Sequence, residues 1–464
     1  MKRRFPKGGY TFPVRKKGPS TSFITSPLPK KVTIPLIAAH GTVMDLTVKK
    51  GDAVTAGDII ARNDQALGPA IVASISGVVE HIGEIGYLGR SVTAVTIRSS
   101  GTDSVRDIRH ISRHQCDVIY ISGASACGCD GIPTQYNSSR LSPASVTSII
   151  ITAIDSEPFS VLNETLLLEN AKQFTEGVNL LHRLFGKVLP VHIVARSGHI
   201  KRLGFTGQMK ERPWLHVHAG TKKYPHTLSI PLIERAFGRA LSDKEDAVSL
   251  GCVILNVRDV LAINEAVNHG RPLIEHIFEV TGPGFGRSAL AQARIGTPLK
   301  HLLPDIALAD TGMRWVLNSV MSGTVIDDPA MPVTPLIQSI ICIPEKRERE
   351  LLWFLRPGSN RDSYSGAYLG GFMKGVTKDF NTNMHGEARP CISCGWCEEV
   401  CPRQTLMPHQ IVRYAEKGLF EEAARFRPFL CIECGLCSYV CPSKLPLLER
   451  IRQCKQELQK AETP

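Results

Sequence analysis

The chain has 464 residues, 43% of them hydrophobic and 21% charged, values ordinary for globular protein and a length that predicts about three domains. The net charge is +12, but the basic residues are scattered and carry no aromatic interleaving. That argues against a nucleic-acid partner and leaves a solvated surface, or docking to anionic lipid or an acidic protein.

No apolar run approaches the roughly 20 residues that a membrane span needs; the longest, such as "SIICI" at 339–343, are strand-sized. Residues 1–29 are basic and rich in Pro and Gly, and read as an extended arm. No apolar h-region follows "MKRRFPKGGYTFPVRKK", so no secretory signal is expected. From 30 to 110 short alternating strands are separated by Gly-Asp turns. "VKKGDAVTAGDIIA" followed by "ASISGVVEHI" has the layout of a biotinyl- or lipoyl-type barrel sandwich. The intervening "RNDQALGP" holds no lysine for a prosthetic group, so this domain is expected to be structural.

Residues 111–245 alternate strand and helix. "CDVIYISGAS" reads as strand then loop, "VTSIIITAID" as a buried strand, "LNETLLLENAKQFTEGVNLLHRLF" as a helix and "VLPVHIVAR" as the next strand. This βαβ order predicts a partly parallel α/β layer. Residues 246–335, with "VRDVLAINEAVNHG" as their helix and a turn at "TGPG", read as a β-grasp-like unit, and 336–385 as a connector.

The last domain, 386–464, carries the most specific signal. "CISCGWCEEVCP" (391–402) and "CIECGLCSYVCP" (431–442) are both C-x2-C-x2-C-x3-C-P, separated by 28 residues. This is the ferredoxin run that holds a 4Fe–4S cluster, and in two-cluster ferredoxins the fourth cysteine ligates the other cluster. The expected ligand sets are Cys391, Cys394, Cys397 and Cys441 for one cluster, and Cys431, Cys434, Cys437 and Cys401 for the second. Gly395 and Gly435 sit where backbone must approach sulfide closely, and Pro402 and Pro442 turn the chain away. Zinc would explain one C-x2-C pair but not two complete runs. Disulfides would need an oxidising compartment. Between the copies, apolar residues at helical spacing predict two helices broken at Gly418, and "LPLLERIRQCKQELQK" predicts a terminal helix in which Cys454 is a surface or packing residue. Of the other cysteines, Cys116, Cys252 and Cys342 show no metal spacing, while the adjacent Cys127 and Cys129 form at most a weak metal or redox pair.

In this order the parts resemble the RnfC subunit of Rnf electron-transport complexes and the homologous NqrA subunit of sodium-pumping NADH:quinone reductase, over roughly residues 5–450. "NVRDVLAINEAVNHGRPLIEHIFEVTGPG" and "RIGTPLKHLL" look like that family's β-grasp signature. "ITAIDSEPFS", "WFLRPGSNRDSYSGAYLGGF" and "NTNMHGEARP" look like NqrA, while the cluster motifs look like RnfC. The resemblance implies a multidomain α/β and α+β fold: barrel sandwich, complex I flavoprotein-like α/β domain, β-grasp unit of the soluble-ligand-binding type, and helical dicluster ferredoxin domain.

The family's flavin and nucleotide loop ends in G-G-A-G-F-P-T after a strand. Here "GASACGCDGIPTQ" (123–135) matches at Gly128, Gly131, Pro133 and Thr134, but Cys129 and Asp130 replace small residues. A cysteine narrows the approach, and an aspartate repels a phosphate by about 1 kcal/mol in water at contact distance. The acidic turn survives as Asp155, Glu157 and Pro158. FMN or NADH binding at this loop is therefore disfavoured. The expected function is a peripheral electron-transfer subunit on the cytoplasmic face of the plasma membrane, passing single electrons between NADH or ferredoxin and membrane subunits or quinone. Its rivals are a stand-alone flavin-dependent NADH dehydrogenase, a quinone-binding protein of the same complex and a structural scaffold.

Overall fold

The computed structural model describes residues 8–12, 23–36, 44–62, 70–108, 145–183, 188–242, 245–285, 288–303, 312–344, 390–441, 443 and 445–462. The loop at 123–135, with Gly128, Gly131, Pro133, Thr134, Cys127 and Cys129, lies outside them, as do the strand expected at 116–125 and most of the connector.

The N-terminal sandwich follows from alternation. After β1 (Phe23–Thr25) come β2 (Lys31–Pro35), β3 (Asp45–Leu46), β4 (Ala53–Val54), β5 (Ile59–Arg62), β6 (Ala70–Val72), β7 (Gly77–Tyr87) and β8 (Arg90–Ser99). Sheets β2-β8-β7-β4 and β3-β5-β6 enclose Val32, Ile34, Ile60, Ile75, Val95 and Ile97. The two Gly-Asp turns close by the same device: Asp52 and Asp58 each accept a backbone N–H three residues back, from Lys49 and Thr55, at 2.8 Å. Gly51 and Gly57 supply the positive φ, 95° and 99°. The sandwich is bolted to the sheet that follows it in space. Arg294 grips both oxygens of Asp103 at 2.7 and 2.8 Å and reaches the Ser74 carbonyl at 3.2 Å.

In the second domain β9 (Ser148–Ala153), β10 (Val191–Arg196), β11 (Leu215–Gly220) and β12 (Cys252–Asn256) form one parallel sheet in the order β11-β10-β9-β12. β9 is buried along its whole length, as expected when both faces of a parallel sheet are covered. Ile149 and Ile151 face the helices Leu162–Glu169, Ala171–Leu181 and Val257–His269. Ile150 and Ile154 face the helix Ser229–Phe237 and, beyond it, Val400, Ile432, Leu436 and Val440 of the cysteine-rich module. That second core is shared between domains.

Three expectations are corrected here. The stretch 162–185 is not a single helix: Asn170 breaks it at φ −120°, ψ 35°, its side chain turned back to the Leu166 carbonyl at 3.1 Å, a local bond that competes with the helix. Residues 252–269 do not belong to the β-grasp unit. β12 pairs with β9, and its helix packs so closely on Ala171–Leu181 that a Cβ on Gly177 would meet Val260 at 2.7 Å. Conversely, β17 lies inside the expected connector yet is central to the third sheet. That sheet comprises β13 (Glu275–Thr281), β14 (Ala289–Arg294), β15 (Met313–Leu317), β16 (Thr324–Val325) and β17 (Ser339–Pro344). Their order is β14-β13-β17-β15-β16, with β1 added beside β14. First and last strands lie side by side and parallel, the β-grasp arrangement.

The C-terminal module is helical. Pro408–Ala415 and Phe420–Ala424 flank Gly418, at φ 72°, and Leu447–Glu462 ends the described chain. Cys454 is fully buried in this module's core, a packing residue.

One surface of the parallel sheet carries a titratable stack. His192 on β10 stands opposite His216, and its Nδ1 lies 3.0 Å from Nε2 of His218. Burial first, then the neighbouring imidazoles of His218 and His216, lowers the pKa of His192 to about 4. A histidine whose folded pKa is depressed resists protonation until well below its unfolded value of about 6.5, so stability is lost as pH falls through that window. We expect the melting temperature to fall between about pH 6.5 and 5, and to fall less steeply in His192→Gln. Equal slopes for the two proteins, read by scanning fluorimetry, would exclude His192 as the cause.

Candidate metal centre

The two cysteine-rich runs fold as copies of one loop. Ser393 and Glu433 adopt φ of 52° and 57°, and Gly395 and Gly435 follow at 76° and 75°. These left-handed turns cup each loop, so that the Ser393 N–H reaches Cys391 Sγ and the Glu433 N–H reaches Cys431 Sγ, both at 3.4 Å. Each glycine then starts a one-turn helix, Trp396–Val400 or Leu436–Val440, whose last residue is followed by an extended Cys401 or Cys441.

The turns pack against each other, and the fourth cysteines cross over. Cys391, Cys394, Cys397 and Cys441 line one open cavity of about 350 Å³, its mouth included, with His409, Leu445 and Leu447. Cys401 does not line that cavity; it interacts electrostatically with Cys431, Cys434 and Cys437, and less strongly with Cys397. The cysteines ring a space rather than meeting at a point: among the described residues no three His, Cys, Asp or Glu side chains converge on a single ion. Burial pushes the Cys397 and Cys401 thiols up to about 12, and those of Cys434 and Cys437 well above their usual value. Desolvated thiols so crowded ionise only beside positive charge. Backbone groups of His409, Arg403 and Ser443 pull the thiols of Cys397, Cys401 and Cys441 partly back down against that burial. Two rings of four thiols with amide donors behind them fit two iron–sulfur clusters, and iron would supply the charge that burial withholds.

The rings differ in surroundings. Cys391 and Cys394 are exposed, and Ile392 beside them is 55% exposed. Cys431, Cys434 and Cys437 are buried. Among the described residues a Cβ on Gly395 would meet nothing within 4 Å, whereas one on Gly435 would strike the Met321 carbonyl at 2.2 Å. The first loop thus needs glycine for φ alone, and the second also for close approach to the β-grasp sheet.

Three features were not anticipated from sequence. Lys455, 7% exposed, donates to the Cys431 carbonyl at 2.7 Å and to Glu433 Oε1 at 2.8 Å, while Arg452 reaches Glu433 Oε2 at 2.8 Å. Burial pushes the Glu433 carboxyl up, but the two cations outweigh it and hold it below the usual range. The N-terminal arm is docked: Gly9 N–H donates to the Val400 carbonyl at 2.9 Å, and Tyr10 and Tyr224 exchange backbone hydrogen bonds at 2.8 Å. Tyr224 itself is fully buried, and its hydroxyl donates to the Cys434 carbonyl at 2.6 Å.

The acidic turn is engaged in structure. Asp155 caps the helix Leu162–Glu169, accepting from the Asn163 and Glu164 N–H groups at 3.2 and 2.9 Å. Glu157 accepts from Ser319 Oγ of the β-grasp unit at 2.8 Å.

Lys455→Met keeps the buried stem but removes the charge, leaving Glu433 to Arg452 alone and orphaning the Cys431 carbonyl. We expect a loss of about 1–3 kcal/mol, read as a lower urea midpoint for the C-terminal module. An unchanged midpoint would mean that Arg452 suffices.

Models of known families match three stretches of the chain. A model of the RnfC barrel sandwich hybrid domain matches residues 4–102, the Nuo51 FMN-binding domain 119–265, and a 4Fe-4S dicluster domain 390–445. The C subunit of the ion-translocating oxidoreductase complex of Rhodobacter capsulatus is 25% identical over 94% of this chain and 79% of its own length. Its counterpart in Pseudomonas aeruginosa is 28% identical over 98% of this chain, which spans 55% of that longer protein. The A subunit of the Na(+)-translocating NADH-quinone reductase of a Marinomonas species is 26% identical over 81% of this chain and 80% of its own length. The chain is thus a relative of the RnfC and NqrA subunits that joins an RnfC-type barrel sandwich and a Nuo51-type domain to a 4Fe-4S dicluster module.

Proposed function

We propose that this chain is the peripheral electron-transfer subunit of a membrane-bound, ion-translocating oxidoreductase of the Rnf or Na+-NQR kind. The observation that carries this reading is the pair of crossed four-cysteine rings, joined by a shared core to an α/β domain. Cys391, Cys394, Cys397 and Cys441 hold one 4Fe–4S cluster; Cys431, Cys434, Cys437 and Cys401 hold the other. When bound, such clusters accept and release one electron each. The protein fixes their separation by packing Trp396–Val400 against Leu436–Val440, gives the Cys391 and Cys431 sulfurs an amide donor each, and excludes water from the second ring more than from the first. The exposed Cys391–Cys394 loop faces an outside redox partner. The buried Cys431–Cys437 loop faces the α/β and β-grasp domains.

The donor side is NADH or ferredoxin, and the acceptor side membrane subunits or quinone, as the names of the relatives suggest. The match to a flavin domain favours a second reading, in which residues 119–265 bind FMN. Cys129 and Asp130 weigh against it. Among the described residues no helix is long and apolar enough to cross a membrane. In this reading the chain is held at the cytoplasmic face by partner subunits.

The ligand assignment is tested with Cys401→Ser. We expect iron to fall from about eight to about four atoms per chain, with the signal of the cluster at 431–437 lost and that at 391–397 kept. Loss of the 391–397 signal instead would mean that each motif is self-contained. Attachment is tested by washing native membranes with carbonate or high salt. The chain should be released, and retention would contradict peripheral binding. Isothermal titration of the purified chain with NADH should reveal no micromolar affinity if Cys129 and Asp130 obstruct the loop.

A further inference from the structure

Tyr224 stands where three domains meet. It follows β11 of the α/β domain by four residues, and its backbone is held to Tyr10 of the N-terminal arm. Its ring is walled by Phe12, with centroids 6.0 Å apart, and Phe12 in turn packs on Tyr439 at 5.3 Å. Its hydroxyl lies beside Ser319 and Ser322 of the β-grasp unit and beside Glu157 of the acidic turn. It donates to the carbonyl of Cys434 at 2.6 Å.

That carbonyl belongs to the 434–435 peptide. Its other end is the N–H of Gly435, at the turn around which Cys431, Cys434 and Cys437 gather. A short hydrogen bond into one end of a peptide in a water-poor site polarises the group. In a trans peptide the N–H points opposite to the carbonyl, so the positive end lies on the side of the peptide away from Tyr224. Positive charge there stabilises the reduced, more negative form of a cluster, because cluster potentials follow hydrogen bonding and burial around the sulfurs. Among the described residues nothing presses on the first loop's glycine in this way: a Cβ at Gly395 would meet none of them within 4 Å.

We propose that Tyr224 is a positioning residue for the ring of Cys401, Cys431, Cys434 and Cys437. It couples the α/β and β-grasp domains to that ring and raises the potential of the cluster held there, leaving the other cluster untouched. Neither the family match nor the cysteine spacing assigns this role. The inference rests on the ligand assignment above.

The experiment uses the full chain with reconstituted clusters and a redox titration followed by electron paramagnetic resonance. The two signals are assigned through Cys401→Ser. Tyr224→Phe keeps the buried ring and loses only the hydroxyl. Phe12→Leu disturbs the aromatic packing and keeps the hydroxyl. We expect Tyr224→Phe to lower the potential of the buried cluster alone, and Phe12→Leu to leave both potentials in place. If Tyr224→Phe moves neither potential or both equally, or if Phe12→Leu produces the same shift, the proposal is overturned. A wild-type chain that takes up no iron would overturn the ligand reading and this inference together. A wild-type chain with two clusters and an inert Tyr224→Phe would overturn this inference alone.

Discussion

The burial of the Cys431–Cys437 loop against the rest of the molecule organises this protein. Gly435 is pressed on the Met321 carbonyl, Tyr224 is locked to Cys434, and Ile432, Leu436 and Val440 complete an apolar core begun by Ile150 and Ile154 of the parallel sheet. A core shared across a domain boundary resists the relative motion that small polar interfaces allow. The cysteine module is therefore not a bead on a string. Its second loop is part of the wall of the α/β domain; of its first run Val400 joins the same core, while Cys391 and Cys394 are left to solvent.

That asymmetry gives two near-identical sequences different chemistry. Both loops use the same left-handed turns and the same amide-to-sulfur bonds. One, with Cys391 and Cys394 exposed, meets water; the other meets a buried lysine, an arginine-paired glutamate and a tyrosine. Burial and hydrogen bonding are the variables that tune iron–sulfur centres. Here the difference comes from Lys455, Arg452 and Tyr224, which lie outside the twelve-residue motif and act in part through Glu433 within it.

What the sequence made legible follows the range of the interactions involved. The cysteine loops are local, so spacing alone revealed them, and the break at Gly418 was equally readable. The order of domains was legible through resemblance. The strand at 252–256 was misassigned because "CVILN" is a continuous apolar run that carries no periodicity to say which sheet it joins; only its pairing with β9 decides that. The seam around Tyr224 was invisible because its partners are 210 residues apart in the chain. Lys455 did leave a trace. It falls on the apolar stripe of the last helix with Leu447, Leu448, Ile451 and Cys454, and a lysine on such a stripe needs a buried partner.

The barrel sandwich carries a different lesson. In carrier proteins this architecture serves as a swinging arm that delivers a tethered group from one active site to another. Here Arg294 clasps Asp103 and the Ser74 carbonyl, Ser74 Oγ donates to the Ile295 carbonyl at 2.5 Å, and Thr33 donates its N–H to the Gly296 carbonyl at 3.0 Å. Those bonds cross between the sandwich and the β-grasp sheet, and nothing in them is shaped for repeated release. An architecture suited to travel has been made into masonry: a buttress that stiffens the sheet whose far edge bears on Gly435.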